Sequence, residues 1–205
     1  QKEGLYVAEN VTYTPEVHIS GNHMKSIPTR GILCTVRKPV IIENNTFDNM
    51  AMANIYLSND ANYWYESGPI RDMTIRNNKF YIRPIGQNEW GNVSGIFVDP
   101  VVLTGVQDAP PSKGDIPVHR NITIEGNEFH MANDNVVTAN GVDGLKIVNN
   151  KILRDDAGLS LKLNAQNTIA VGEKQKVSTE VHETTLTKDI FKFTNCKNVE
   201  ISGNT

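Results

Sequence analysis

Ile19-Ser-Gly-Asn22 returns as Ile42-Glu-Asn-Asn45, Ile75-Arg-Asn-Asn78, Ile124-Glu-Gly-Asn127, Ile147-Val-Asn-Asn150 and Ile201-Ser-Gly-Asn204. The closing asparagines are separated by 23, 33, 49, 23 and 54 residues, so a unit of 23 recurs and is stretched by insertions. A unit this short buries no core by itself, whereas stacked copies share one interior, as in a coil wound on itself. Each phrase alternates apolar and polar residues before a turn, as a half-buried strand does. Gly or Asn ahead of the closing Asn tolerates the positive φ of a corner. Stacked closing side chains are expected to form a hydrogen-bonded ladder along the coil axis. Ordinary Asn-rich hairpin turns are the plain alternative, but they do not repeat one strand phrase at a fixed period.

A second strand follows each closing Asn: Gly31-Ile-Leu-Cys-Thr35, Asn54-Ile-Tyr-Leu-Ser58, Gly95-Ile-Phe-Val-Asp99, Asn135-Val-Val-Thr138 and Gly158-Leu-Ser-Leu-Lys162. Two strands per coil, with like stacked on like, predict an all-β fold, a right-handed parallel β-helix of about six coils. Long 3.6-residue periodicity is absent, and the short apolar inward positions fit parallel sheets with one buried face. The whole of 1–205 forms one domain, and both ends fall inside repeats without atypical capping units, so a piece of a longer protein is expected.

Composition narrows the function classes. The chain has 39% hydrophobic residues and a formal charge of −3, which offers nucleic acid and anionic membranes no electrostatic footprint. No run of 18 apolar residues occurs. The two cysteines, Cys34 and Cys196, sit four coils apart and are expected to be separate thiols. No CxxC, HExxH, phosphate-loop or Gly-x-Ser-x-Gly pattern is present, and the five histidines lack metal-ligand spacing. No cofactor or metal is therefore expected, and the oligomeric state is left open. Of the histidines, His18 and His119 are expected to face solvent or line a groove.

The insertions carry the unusual chemistry. Three excursions, Asp60 to Arg71, Pro100 to Arg120 and Ala165 to Lys197, are expected to leave one corner after the second strand and wall a cleft above it. Asn59-Asp-Ala-Asn-Tyr-Trp-Tyr-Glu-Ser-Gly68 packs acids, amides and aromatics into one loop. Such a set suits a sugar, whose C–H face stacks on a ring such as Trp64 while its hydroxyls bond acids and amides. Covering the apolar side of the loop is an equally simple role for Tyr63 and Tyr65, and a weaker alternative for Trp64.

Ile27-Pro-Thr-Arg-Gly-Ile-Leu33, Val40-Ile-Ile-Glu-Asn-Asn-Thr-Phe47, Ser58-Asn-Asp-Ala-Asn-Tyr-Trp-Tyr-Glu-Ser-Gly-Pro-Ile-Arg-Asp72 and Thr74-Ile-Arg-Asn-Asn-Lys-Phe80 together resemble glycoside hydrolase family 110. The resemblance is specific from Val17 to Phe80, continues in ladder-dominated form from Val118 to Ile152, and beyond Leu153 is only generic coil. It implies a secreted, periplasmic or cell-surface bacterial β-helix enzyme that hydrolyses terminal α-1,3-linked galactose with inversion and without a metal. The implied partner is a glycan ending in α-linked galactose.

Coil geometry accommodates that chemistry. If Ile55 stacks on Ile96, then Asp99 lies over Ser58 and Asp60 lies two residues further along the neighbouring coil. Two strand steps and one inter-strand step combine to roughly 8 Å between backbone sites, inside the roughly 6.5 to 9.5 Å of an inverting acid–base pair. Equal parity puts both side chains on one face. Asp60, beside Tyr63 and Trp64, is the expected general acid, because desolvation favours its protonated form. Asp99 is the expected base and Glu66 its competitor or partner. Val98-Asp-Pro100 offers Asp where the family resemblance leads one to expect Glu, a reach shorter by one methylene.

Arg30 is a candidate for holding substrate hydroxyls or orienting a carboxylate. Asn54, Asn133, Asp134 and Asn135 precede or begin second strands and are candidates for lining the sugar pocket, with corner capping as the simpler role for some. Asp155-Asp156 reads as a solvated turn. Two other functions fit a solenoid: a carbohydrate-binding or degenerate relative without turnover, and a polysaccharide lyase or epimerase. The latter requires an acidic polymer facing a basic groove, and Lys and Arg are not concentrated on the second strands.

Overall fold

The computed structural model describes residues 9–60, 68–82, 94–101, 117–131, 134–155 and 189–205. Coil one contains β1 (Val17–Ser20), β2 (His23–Lys25) and β3 (Ile32–Cys34). Coil two contains β4 (Val40–Glu43), β5 (Thr46–Asp48) and β6 (Ile55–Leu57), and coil three β7 (Met73–Arg76), β8 (Lys79–Ile82) and β9 (Ile96–Val98). Coil four contains β10 (His119–Glu125), β11 (Glu128–Met131) and β12 (Val137–Asn140). Coil five contains β13 (Val142–Val148), β14 (Lys151–Arg154) and β15 (Phe191–Thr194), and β16 (Lys197–Ser202) opens a sixth. The first sheet stacks β1-β4-β7-β10-β13-β16, the second β2-β5-β8-β11-β14 and the third β3-β6-β9-β12-β15, every pair parallel. The fold is a right-handed parallel β-helix.

Each coil therefore has three strands where the sequence pattern showed two. The strand immediately after the closing Asn had no separate signal, because Asn45-Thr-Phe47 and Asn78-Lys-Phe80 are short and look like part of the turn. Its inward residues are the largest in the core. Phe47, Phe80 and Phe129 are fully buried and stack along the axis with ring centroids 4.9 and 4.8 Å apart. Burying each contributes roughly 1.5 to 3 kcal/mol. Ile42, Ile75, Ile124 and Ile147 form the matching column of the first sheet, and Leu57, Val98 and Ala139 that of the third.

The corner and ladder follow from the repeated phrase. All six residues before the closing Asn have positive φ: Gly21, Asn44, Asn77, Gly126, Asn149 and Gly203. Asn45 receives both the backbone N–H and the side-chain amide of Asn22 on its Oδ1, at 2.9 and 3.0 Å, and in turn gives both to Asn78 at the same distances. The pattern continues through Asn127, Asn150 and Asn204. Buried amides thus have their donors and acceptors satisfied, which burial requires.

The stack also corrects the expected layout of the insertions. The position over β12 in the third sheet belongs to Phe191–Thr194, not to Gly158–Lys162, which lies outside the described residues. The stretch expected as an excursion from Ala165 to Lys197 contains β15 and the start of β16, and its part ahead of Phe191 precedes a third-sheet strand in the chain rather than following one. In chain order 61–67 and 102–116 follow third-sheet strands and 83–93 and 156–188 precede them; all four stretches lie outside the described residues. Cys34 and Cys196 are separate free thiols, as expected.

Candidate functional site

The outer face of the third sheet is built by strict alternation. In β6, Ile55 and Leu57 point into the core while Tyr56 is half-buried on the outside. The register Ile55↔Ile96, Tyr56↔Phe97, Leu57↔Val98 continues past the strands to an Asp60↔Val101 bridge. The intervening hydrogen bonds are backbone ones, from Asp99 N–H to the Leu57 carbonyl and from Val101 N–H to the Asn59 carbonyl, both 3.0 Å. Asp99 therefore lies beside Ser58, and Asp60 two positions further on the adjacent coil, on the same face by parity.

Tyr56 reports on the electrostatics of this face. Burial pushes its phenol above the ordinary range and a hydrogen bond with Ser58 opposes this; the charge of Asp99 raises it further, Arg30 draws it back, and Asp60 adds a smaller upward push. One ring thus senses both candidate acids and the candidate arginine. Its centroid is 5.4 Å from that of Phe97, tilted by 40°, and the Arg30 guanidinium lies over it at 5.1 Å. Tyr56 and Phe97 form an aromatic ledge that no sequence motif announced. Only their parity on the apolar strands distinguished them.

Arg30 and Asn54 stand at the start of the third-sheet strands. Asn54 is buried, and neither its Nδ2 nor the buried Arg30 Nε has a hydrogen-bond partner among the described residues. Gly31, between them in the stack, leaves no room for a side chain, since a Cβ there would lie 2.5 Å from the Asn54 carbonyl oxygen. Asp134 is buried just before β12. Glu66, Trp64 and Asn133 lie outside the described residues, so the structure brings together Asp60, Asp99 and Arg30 around Tyr56, with Asn54 one strand length away.

Asp99 is held by a chain of amides that the sequence reading missed. Asn195 donates to Asn140 Oδ1 at 3.3 Å, and Asn140 Nδ2 donates to Asp99 Oδ1 at 3.1 Å. Asn140 is buried at the position equivalent to Asp99 on the next coil. The Ser58 hydroxyl donates to the Asp99 carbonyl at 2.8 Å and fixes the backbone of the same residue. The repeated register supplied the signal: adding the coil offset to Asp99 leads directly to Asn140.

Two expectations elsewhere are corrected. His119 is fully buried rather than solvent-facing or groove-lining; its Nδ1 accepts the Ile70 N–H at 3.1 Å, while His18 is exposed and bonded to Glu43 at 2.7 Å. Burial, aided by the charge of Arg71, lowers the His119 pKa to about 4. Asp155 is no freely solvated turn, since its carboxylate lies 3.8 Å from His130 Nδ1. His130 also meets Glu128 at 2.6 Å and stacks on Tyr81 at 4.6 Å, forming a second titratable cluster on the outside of the second sheet. Among the described residues no group of three His, Cys, Asp or Glu is placed to hold a metal ion.

No family model matches this chain. It is 41% identical over 203 residues to an alpha-1,3-galactosidase A of Peterkaempfera griseoplana, covering 98% of this chain and 25% of that protein. It is 45% identical over 153 residues to an alpha-1,3-galactosidase A of Streptomyces avermitilis, covering 75% and 22%. A relative of the same name from Bacteroides thetaiotaomicron is 43% identical over 150 residues, covering 71% and 23%. The chain thus spans about a quarter of the length of the curated relatives it matches.

Proposed function

The chain belongs to the alpha-1,3-galactosidase family, and on that premise we propose that it supplies the catalytic face of an exo-acting, inverting glycoside hydrolase. The substrate is a glycan ending in α-1,3-linked galactose. The reading places the protein outside the cytoplasm, secreted, periplasmic or at the cell surface, where such glycans are met.

The observation that carries this proposal is the unbroken register from Ile55↔Ile96 to Asp60↔Val101, which keeps Asp60 and Asp99 on one face beside Tyr56. Their backbone separation, roughly 8 Å by strand geometry, leaves space for a water between the carboxyls. Asp60 protonates the glycosidic oxygen as its bond to the anomeric carbon breaks. Asp99 removes a proton from a water that attacks the opposite face of that carbon, releasing β-galactose. Tyr56, backed by the buried Phe97, offers a ring surface to the sugar, and Arg30 and Asn54 hold donors for its hydroxyls. Glu66 and Trp64 are proposed to close the same face.

One observation favours a second placement of the acids within the same function. Asp134 is buried before β12, and on the next coil Asp155, just after β14, approaches His130, so the corner between the second and third sheets also gathers carboxylates. The test is incubation with α-1,3-galactobiose, following the product anomer by NMR. β-Galactose as first product, lost in Asp60→Asn and Asp99→Asn, supports the first placement. Turnover that survives those two and is lost in Asp134→Asn or Asp155→Asn moves catalysis to the other corner. Sugar binding without any release of galactose leaves a carbohydrate-binding protein and overturns the enzyme.

A further inference from the structure

The corner where the third sheet turns into the first holds a column of cations. Because Val40, Met73 and Ile122 share a register position, Lys38, Arg71 and Arg120, each two residues earlier, also stack, one per coil. The backbone confirms the alignment: Arg120 N–H donates to the Ile70 carbonyl at 3.0 Å and Val40 N–H to that of Asp72 at 3.0 Å. Neighbouring coils are about 4.8 Å apart. Arg37 joins the group, since its charge and that of Arg120 both act on Arg71.

Nearby acids offset this column only in part. Glu9 Oε2 is taken by Arg37 Nε at 2.6 Å, Asp72 Oδ1 by the Asn121 amide at 3.0 Å, and Asp143 Oδ1 by the Asn198 amide at 2.7 Å. Asp143 pairs in register with Arg120 on one side and Lys197 on the other. Arg37, Lys38, Arg71, Arg120 and Lys197 thus face Glu9, Asp72 and Asp143, a local excess of positive charge on a chain whose formal charge is −3. Among the described residues Lys38, Arg71 and Arg120 have no carboxylate within ion-pair distance, and the hydrogen bond of the Arg71 side chain goes to the Val118 carbonyl at 3.2 Å. Arg71 is half-buried, and burial and the charges of Arg120 and Arg37 hold its guanidinium below its usual range against the smaller opposing pull of Glu9 and Asp72. Such an arrangement is unfavourable while empty and is relieved by an anion with several oxygens, which guanidinium forks bind bidentately.

We propose that this corner is an oxyanion subsite that receives a sulfate ester or carboxylate carried by the glycan bound on the third-sheet face. The proposal rests on the glycan reading of that face and adds an anionic substituent to its substrate. Arg71 and Arg120 grip the oxyanion, and Lys38 contributes a more mobile charge from the adjacent coil.

The test is calorimetric binding of three sugars: α-1,3-galactobiose, the same disaccharide with a 6-O-sulfate on its reducing galactose, and the disaccharide with galacturonate as its reducing sugar. At about 20 mM salt one or both charged sugars bind about tenfold tighter than the neutral one, and the gain disappears near 0.5 M salt. The exposed Arg120→Gln and Lys38→Gln variants, and Arg71→Gln checked for an unchanged melting curve, reduce that gain without weakening the neutral sugar. A gain confined to the sulfated sugar assigns a sulfate ester, and one confined to the galacturonate a carboxylate. Equal affinity for all three sugars, or a gain that persists in the Arg71→Gln/Arg120→Gln double variant, overturns the subsite while leaving the galactosidase reading intact. Failure to bind any of them removes the glycan reading and the subsite with it.

Discussion

Asn140 hands its side-chain amide to the carboxylate of Asp99 across one coil, at 3.1 Å. The two residues occupy equivalent positions in consecutive turns, so the bond is a product of registry rather than of loop shape. In the proposed reaction it fixes the direction in which Asp99 approaches water. A hydrogen bond to a charged group contributes about 1.5 to 3 kcal/mol, so Asn140→Ala lowers kcat by about tenfold or more. KM changes less than twofold, since the amide does not touch the sugar. Steady-state kinetics on α-1,3-galactobiose check this, and an equal change in KM and kcat would contradict it.

Asn78→Ala tests the ladder. Asn78 gives its side-chain amide to the Ile42 and Arg76 carbonyls and to Asn127 Oδ1, while its own Oδ1 takes two N–H groups from Asn45. Truncation strands several buried groups at about 1 to 3 kcal/mol each, so a loss of at least about 3 kcal/mol is expected in urea unfolding. Tyr13→Ala, at a side chain 90% exposed, serves as the control with little change.

Asn77 has φ of 54° at the corner before Asn78. Asn77→Gly is expected to leave the melting temperature nearly unchanged, whereas Asn77→Val destabilises by about 1 to 2 kcal/mol. Thermal melts of the two variants side by side separate a conformational demand from a side-chain contact.

His119 sets an acid limit. Its pKa falls from 6.5 to about 4 on folding, so between those values the unfolded chain binds a proton that the folded chain refuses. Stability therefore rises with pH across this window and is lost as pH falls through it, by an amount on the order of 3 kcal/mol. His119→Asn keeps an acceptor for the Ile70 N–H and removes the proton. Its unfolding midpoint should fall less than that of the native protein between pH 7 and pH 4.5.

The first sheet was legible because Ile and Asn bracket both a strand and its corner within four residues, and the structure keeps all six copies in one sheet and one ladder. The second sheet was hidden because Phe47 and Phe80 follow the Asn too closely for any alternation to develop. Gly158–Lys162 has the composition of a third-sheet strand but lies outside the described residues, and the position over β12 is held by Phe191–Thr194, a long-range pairing that composition does not specify. The adjacency of Asp60 and Asp99 followed from counting residues, since parallel register is a fixed offset. Tyr56 and Asn140 did not, because an outward aromatic or amide on a strand has no local pattern of its own. His119 misled because a polar residue beside Arg120 looks exposed until the Ile70 backbone is brought over it.

Every rung of the asparagine ladder runs the same way, with the N–H groups of one coil directed at the Oδ1 of the next. The column is consequently vectorial in its Oδ1 bonds, each oxygen accepting from the preceding coil, while the side-chain amides also reach back to that coil's Ile carbonyls. A grafted, duplicated or shuffled coil can join it head to tail, while a reversed one loses the match of N–H to Oδ1 at each corner. Modular rearrangement of this scaffold is therefore confined to whole-turn exchanges that preserve polarity.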